Sequence, residues 1–193
     1  MNVHGYRERR ENMKVRRVVT GHTPEGKATV ASDMEIDAIE FPLTPGSEHH
    51  RLWGADIMPI FPDNGAPCPM FTYFPPVGGF RFGLFSIPPE SVAPPENYDW
   101  EKTLRETEER FPGLLACVEP DTPGMHTTNT IDFEYVISGE VFLDLDDGVE
   151  VHLRPGDTVV QNGTRHAWRN KGTEPCRMVL CVIGTHRNKP ASE

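Results

Sequence analysis

Long apolar runs are missing from this chain. Nothing in its 193 residues approaches the ~20 apolar residues that a membrane-spanning helix needs, so no membrane role is expected. Clustered positive charge is missing too. With a net charge of −10 the chain is a poor partner for nucleic acid, whose phosphates demand grouped Lys and Arg. Its one basic cluster is the opening MNVHGYRERRENMKVRR, which is interrupted by Glu8 and Glu11 and has no alternating aromatics. That opening also lacks the apolar centre of a secretory signal and reads as a solvated arm over residues 1–14 of a cytoplasmic protein. Cys68, Cys117, Cys176 and Cys181 fall at irregular spacings, with no two-residue gap of the zinc or redox kind, so reduced, buried thiols are expected. No phosphate cradle and no G-x-S-x-G elbow is present.

Helical periodicity is nearly absent as well, and short alternating runs with turn residues take its place. The segment VRRVVTGHTPEGKATVASD holds two such runs joined at Pro24-Glu25-Gly26. From about Phe41 to Pro76 the chain is rich in Pro and Gly and is expected to wrap the surface. FRFGLFSI, Phe80–Ile87, is a strand stopped by Pro88-Pro89. One helix is predicted in DWEKTLRETEERFPGLL, capped by Asp99 and ended by Pro112-Gly113, with Trp100, Leu104 and Phe111 as its apolar side.

The hairpin VFLDLDDGVEVHL fixes its own register. A three-residue loop, Asp146-Asp147-Gly148, sets Leu145 opposite Val149, Leu143 opposite Val151 and Val141 opposite Leu153, which joins the apolar residues on one face. It also sets Asp144 against Glu150, turns Glu140 toward Arg154, and points His152 outward, away from any ligand role. A turn at Arg154-Pro155-Gly156-Asp157 and strands at TVVQ, HAWRN and RMVLCVIG follow. Short antiparallel strands of this kind must stack or close to remove their edges.

The residues His126-x-Thr128-x3-Asp132-x6-Gly139, followed by Gly156 and then QNGTRHAWRN, resemble the two motifs of the cupin superfamily. That family's first motif is G-x5-H-x-H-x3,4-E-x6-G and its second is G-x5-P-x-G-x2-H-x3-N. Here Thr128 replaces the second histidine, Asp132 replaces the glutamate, and Gln161 stands near the usual proline, while His166 falls on the third histidine position. The resemblance implies an all-β cupin-type jelly-roll barrel over residues 15–187, with core motifs at 124–172, one peripheral helix, Pro-rich wrapping segments and a tail at 188–193. It also implies a homodimer and a small-molecule substrate or ligand held inside the barrel.

Alternation gives the motif a chemical meaning. His126, Thr128, Thr130, Asp132 and Glu134 share one face if their strand is unbroken, and His166, Trp168 and Asn170 share another. Two histidines and a carboxylate form the ligand set of facial iron sites, so His126, Asp132 and His166 are the expected ligands of Fe(II), Mn(II) or Zn(II). Aspartate is shorter than glutamate, and threonine is a poor metal ligand, which leaves a metal-free barrel as the alternative. Glu134 places a second carboxylate ~6.5–7 Å along the strand from Asp132, close enough to raise a pKa and suit proton transfer. Glu134 and His166 are therefore the candidate catalytic groups, with Thr128, Thr130, Trp168 and Arg81 as candidate substrate contacts.

The bland readings are equally concrete. His166 could bond a backbone carbonyl, Asp132 could accept from Thr128 or Thr130, and Trp168 could simply fill space. Two functions stay open: a metal-dependent oxygenase, decarboxylase or isomerase, or a metal-free cupin. The second would bind a small ligand, or act as an acid/base isomerase or lyase through His166 and a carboxylate.

Overall fold

The computed structural model describes residues 14–92 and 98–188, so the basic arm and the tail lie almost entirely outside the described residues. Strands β1 (Val15–His22) and β2 (Ala28–Ile36) form a hairpin across the expected turn, with Gly26 at φ 77°. A six-stranded antiparallel sheet runs β3 (Ile39–Glu40), β4 (Glu48–Ala55), β5 (Phe80–Ile87), β11 (Cys176–Gly184), β6 (Thr130–Ser138), β9 (Thr158–Gln161). A three-stranded sheet runs β10 (Ala167–Arg169), β7 (Val141–Asp144), β8 (Glu150–Leu153). With one helix and two facing sheets the architecture is the expected all-β jelly roll.

The hairpin register is as the apolar pattern dictates. Val141 pairs with Leu153, Leu143 with Val151 and Asp144 with Glu150, and the Leu145 N–H donates to Val149 O at 2.8 Å over a loop whose Gly148 has φ 73°. Glu140 does not reach Arg154. It accepts from His152 Nε2 at 2.7 Å, while the imidazole stacks on Phe142 at 4.2 Å.

This register delivers Val141, Leu143 and Leu153 to the core, where they meet Val136, Cys176 and Met178 of the larger sheet. Burial of such side chains contributes about 1.5–3 kcal/mol each. The apolar core therefore closes one end of the sandwich.

Helix α1 (Trp100–Arg110) starts where expected, with the Lys102 N–H donating to Asp99 Oδ1 at 3.0 Å. Its buried side differs from the expectation. Thr103 and Thr107 face the protein while Trp100 and Leu104 are exposed, and Phe111, just past the helix, is fully buried. Phe111 packs edge-on against Phe41, His49 and Tyr73, so the anchor is that aromatic cluster. The Pro- and Gly-rich stretch is also more than a wrap, because it contains β4, an interior strand paired with both β3 and β5.

The outward face of the six-stranded sheet carries a row of Val160, Phe133, Cys181 and Phe82 across four strands. At the opposite edge of β11, Gly184 packs against the Pro75–Pro76 segment so closely that an added Cβ would lie 1.9 Å from Pro76 O. Gly184→Ala is expected to cost about 2–3 kcal/mol, lowering Tm by roughly 5–10 °C in a thermal melt followed by circular dichroism.

Candidate active site

The inward face of β6 changes character within two residues. Val136 belongs to the core, but Glu134, Asp132 and Thr130 follow on the same face, all buried. The hydroxyls of Thr128 and Thr130 are 2.7 Å apart, and Thr130 stands beside Asp132 and favours its charged form.

Among the described residues no cation is paired with the two carboxyls. Arg165 is committed to Glu119 at 2.6 Å and Asp146 at 2.8 Å, and Arg169 pairs with Asp144 at 3.2 Å. Burial pushes the Asp132 carboxyl up to about 6 against the pull of Thr130. Burial, reinforced by the Asp132 charge, pushes Glu134 up to about 8. At neutral pH the inner face thus holds a mostly ionised Asp132 beside a mostly protonated Glu134.

Among the described residues, Asp132 Oδ1, Glu134 Oε2 and Gln161 Nε2 are buried without a hydrogen-bond partner. Gln161 lies directly across from Asp132 in the β6–β9 register. Buried polar atoms without partners cost stability, and here three of them lie together on one face.

The histidines form a separate pair. His126 and His166 bridge by backbone hydrogen bonds in both directions, and their rings lie 4.1 Å apart. His126 Nδ1 lies 3.0 Å from Gly124 O and His166 Nδ1 lies 2.9 Å from Thr164 O, contacts that place the proton on Nδ1 and leave Nε2 as the acceptor. Burial, then the neighbouring His126, lowers His166 to about 4, and burial lowers His126 as well, so both are neutral at pH 7.

This arrangement does not give the expected ligand set. Among the described residues no group of three or more His, Cys, Asp and Glu side chains is arranged to hold a metal ion. The assumption of one unbroken strand from His126 to Asp132 fails, because β6 begins only at Thr130 and the chain bends at Asn129. Arg187 pins the bend, donating to Asn129 Oδ1 at 2.6 Å and to Thr128 O at 2.6 Å. Among the described residues, His126 and His166 stand together, and no three-ligand group joins them to Asp132.

Two expected substrate contacts are occupied elsewhere. Every N–H of the Arg81 guanidinium is engaged: with Asp56, and with the carbonyls of Ala55 at 3.1 Å, Thr72 at 2.9 Å, Tyr73 at 3.2 Å and Phe80 at 2.9 Å. Arg81 is a clamp on the Thr72–Tyr73 segment. Trp168 packs against the apolar core and presents an edge to His166 at 5.8 Å, so it fills space behind the histidine pair.

A cavity of about 30 Å³ opens on the other side of the carboxyls, with His49, Arg51, Tyr73, Gly83, Leu180 and Val182 among its lining residues. Leu180 and Val182 pair with Glu134 and Asp132 in the β11–β6 register, so the carboxyl pair stands one strand beyond the lining and is not itself part of it. The His126–His166 pair does not line it. Tyr73 hydrogen-bonds His49 Nδ1 at 3.1 Å. Burial raises the Tyr73 hydroxyl, with Arg51, Asp132 and Glu134 all close enough to act on it. Sequence reasoning missed Arg51, Tyr73 and Gln161. The one available signal was Gln161 standing near the family's proline position.

Residues 114–183 match a family model described as "Cupin domain". Phomopsin biosynthesis cluster protein C' of Diaporthe leptostromiformis is 49% identical over 60 residues, 31% of this chain and 32% of that protein. A cupin-domain-containing oxidoreductase of Aspergillus ruber is 39% identical over 78 residues, 37% of this chain and 38% of that protein. The chain thus spans about a third of the length of the curated relatives it matches. A solved structure described as a predicted oxalate decarboxylase from Thermotoga maritima is 16% identical, covers 77% of this chain and 92% of its own, and gives a TM-score of 0.41.

The carboxyl pair sets a pH dependence. Between pH 6.5 and about 8, folded Glu134 keeps a proton that an unfolded glutamate has already lost, so the folded state binds more protons and stability falls as pH rises. Below pH 6.5 the buried histidines oppose this trend, because their unfolded forms take up protons first. Urea unfolding at pH 6.5, 7.25 and 8 is expected to give a declining stability, and Glu134→Gln is expected to flatten the decline.

Proposed function

We propose that this chain, whose residues 114–183 match a cupin-domain model, is a small-molecule acid/base enzyme of the isomerase or lyase class, with Glu134 and Asp132 as its proton-moving groups. The observation that carries the reading is the pair of buried carboxyls two residues apart on one strand face, each with an oxygen left without a partner, one strand over from the cavity-lining Leu180 and Val182. Two carboxyls whose surroundings push their proton affinities apart divide into an acid and a base. Asp132, the stronger acid, is the carboxylate that removes a proton from a carbon next to a carbonyl group. Glu134, still protonated, donates a hydrogen bond to the carbonyl oxygen where negative charge accumulates. Returning the proton to a different carbon completes an isomerisation.

Thr130 favours the charged form of Asp132, and Gln161 offers an amide N–H to the substrate. His166 supports the site as a neutral imidazole instead of acting as the base, because its low proton affinity makes it a weak acceptor at pH 7.

Deuterium uptake by small 2-oxo acids, followed by proton NMR in deuterated buffer at neutral pH, tests the reading. The wild type is expected to catalyse exchange, and Glu134→Gln and Asp132→Asn to slow it about 10²–10⁴-fold. Wild-type rates in Glu134→Gln would sink the assignment. A second reading, redox chemistry with a bound metal, is favoured by the oxidoreductase names of several relatives and by the two Nε2 atoms left available on the paired imidazoles. It requires donors beyond the side chains gathered there. Exchange that survives a chelator supports the acid/base reading. Metal bound by the wild type and lost in both His126→Ala and His166→Ala supports the redox one.

The assembly is also proposed to be a homodimer. The resemblance implies it, and the exposed apolar row of Val160, Phe133, Cys181 and Phe82 supports a second copy as its cover. Sedimentation velocity is expected to give a dimer for the wild type and a monomer for Phe133→Glu.

A further inference from the structure

The charge pattern of the cavity names a class of ligand. Arg51 on β4 lies opposite Gly83 on β5, Gly83 opposite Leu180 on β11, and Leu180 opposite Glu134 on β6. Directly paired residues share a face, so these four make one row across the sheet, with a guanidinium at one end and a carboxyl at the other. Three strand spacings put the two backbones roughly 14 Å apart. Between them the row has a glycine without a side chain and a leucine, which leaves an apolar floor with polar ends.

Two arginines face this region and they differ in one respect. Arg81 has every N–H engaged by the protein. Arg51 is partly buried, and its Nη2 atom is buried with no hydrogen-bond partner among the described residues. Among the described residues the Arg51 charge is favoured by Tyr73 and by Asp56, and Asp56 is already bound to Arg81. Burial and the nearby Arg81 both oppose the Arg51 charge. A guanidinium cannot relieve this by losing its proton, so it stays a cation short of an anion. A carboxylate fits its planar fork in a two-point contact.

We propose that Arg51 is the anion anchor of this cavity and that the ligand is a small carboxylic acid bearing a carbonyl or hydroxyl group at its other end. The carboxylate of the ligand neutralises Arg51, and its oxygen function reaches the Glu134–Asp132 end. Tyr73 lies between the two ends, close enough to feel Arg51 and both carboxyls. The inference rests on the acid/base reading for the far end of the ligand, but the recognition of charge at the near end does not depend on turnover.

Calorimetric titration tests it with pyruvate and malonate set against their neutral counterparts, pyruvamide and malonamide. The wild type is expected to bind at least one acid ten-fold or more tightly than its amide. Arg51→Met, which keeps the bulk but removes the charge, is expected to erase the preference, and Arg51→Gln serves the same purpose should the methionine variant fold poorly. Glu134→Gln is expected to keep the preference even though it slows exchange. Equal binding of acid and amide by the wild type overturns the proposal. So does a preference that persists in a folded Arg51 variant. A Glu134→Gln protein with unchanged exchange but an intact acid preference would overturn only the acid/base reading.

Discussion

The molecule is organised by a change of chemistry along one face of one strand. β6 alternates strictly, so Val136, Glu134, Asp132 and Thr130 all point between the sheets. Val136 joins the apolar cluster that holds the two sheets together. Two residues away the same face carries an acid, and two further another. The packed end provides the stability that lets the polar end keep buried, partnerless oxygens, and β6 ties both ends into one piece of backbone.

What was legible in the sequence was local. The hairpin from Val141 to Leu153 has its register written in its apolar pattern, and the inward face of β6 follows from period two alone. The helix cap at Asp99 needs only three residues. What was hidden depends on distant partners. The bend at Asn129 is held by Arg187, which is 58 residues away in sequence, and that bend breaks the single strand that alternation alone would draw from His126 to Asp132. Arg81 looks the same in sequence whether it waits for a ligand or grips five partners. β4 escaped notice because EHHRLWGA, an interior strand paired on both edges, shows no clean alternation and sits inside a Pro- and Gly-rich stretch. With β4 went Arg51. The exposed Trp100 and Leu104 misled for the opposite reason, since helical spacing cannot tell which side meets the protein when Phe111 beyond the helix provides the anchor.

The histidine pair marks where this chain parts from the motif it resembles. In place of the family's second histidine stands Thr128, and its hydroxyl is spent on Thr130. In place of the glutamate stands Asp132, on the same inward face as Thr130.

The grip of Arg81 carries a last consequence. By holding the carbonyls of Thr72 and Tyr73 together with Asp56, it fixes the peptide that presents the Tyr73 ring to the cavity. The entropy of ordering that wall is therefore lost when the chain folds, before any guest arrives. Under the proposed function, a ligand would meet a preset shape there and not a loop that closes around it, and small differences in its length would register sharply.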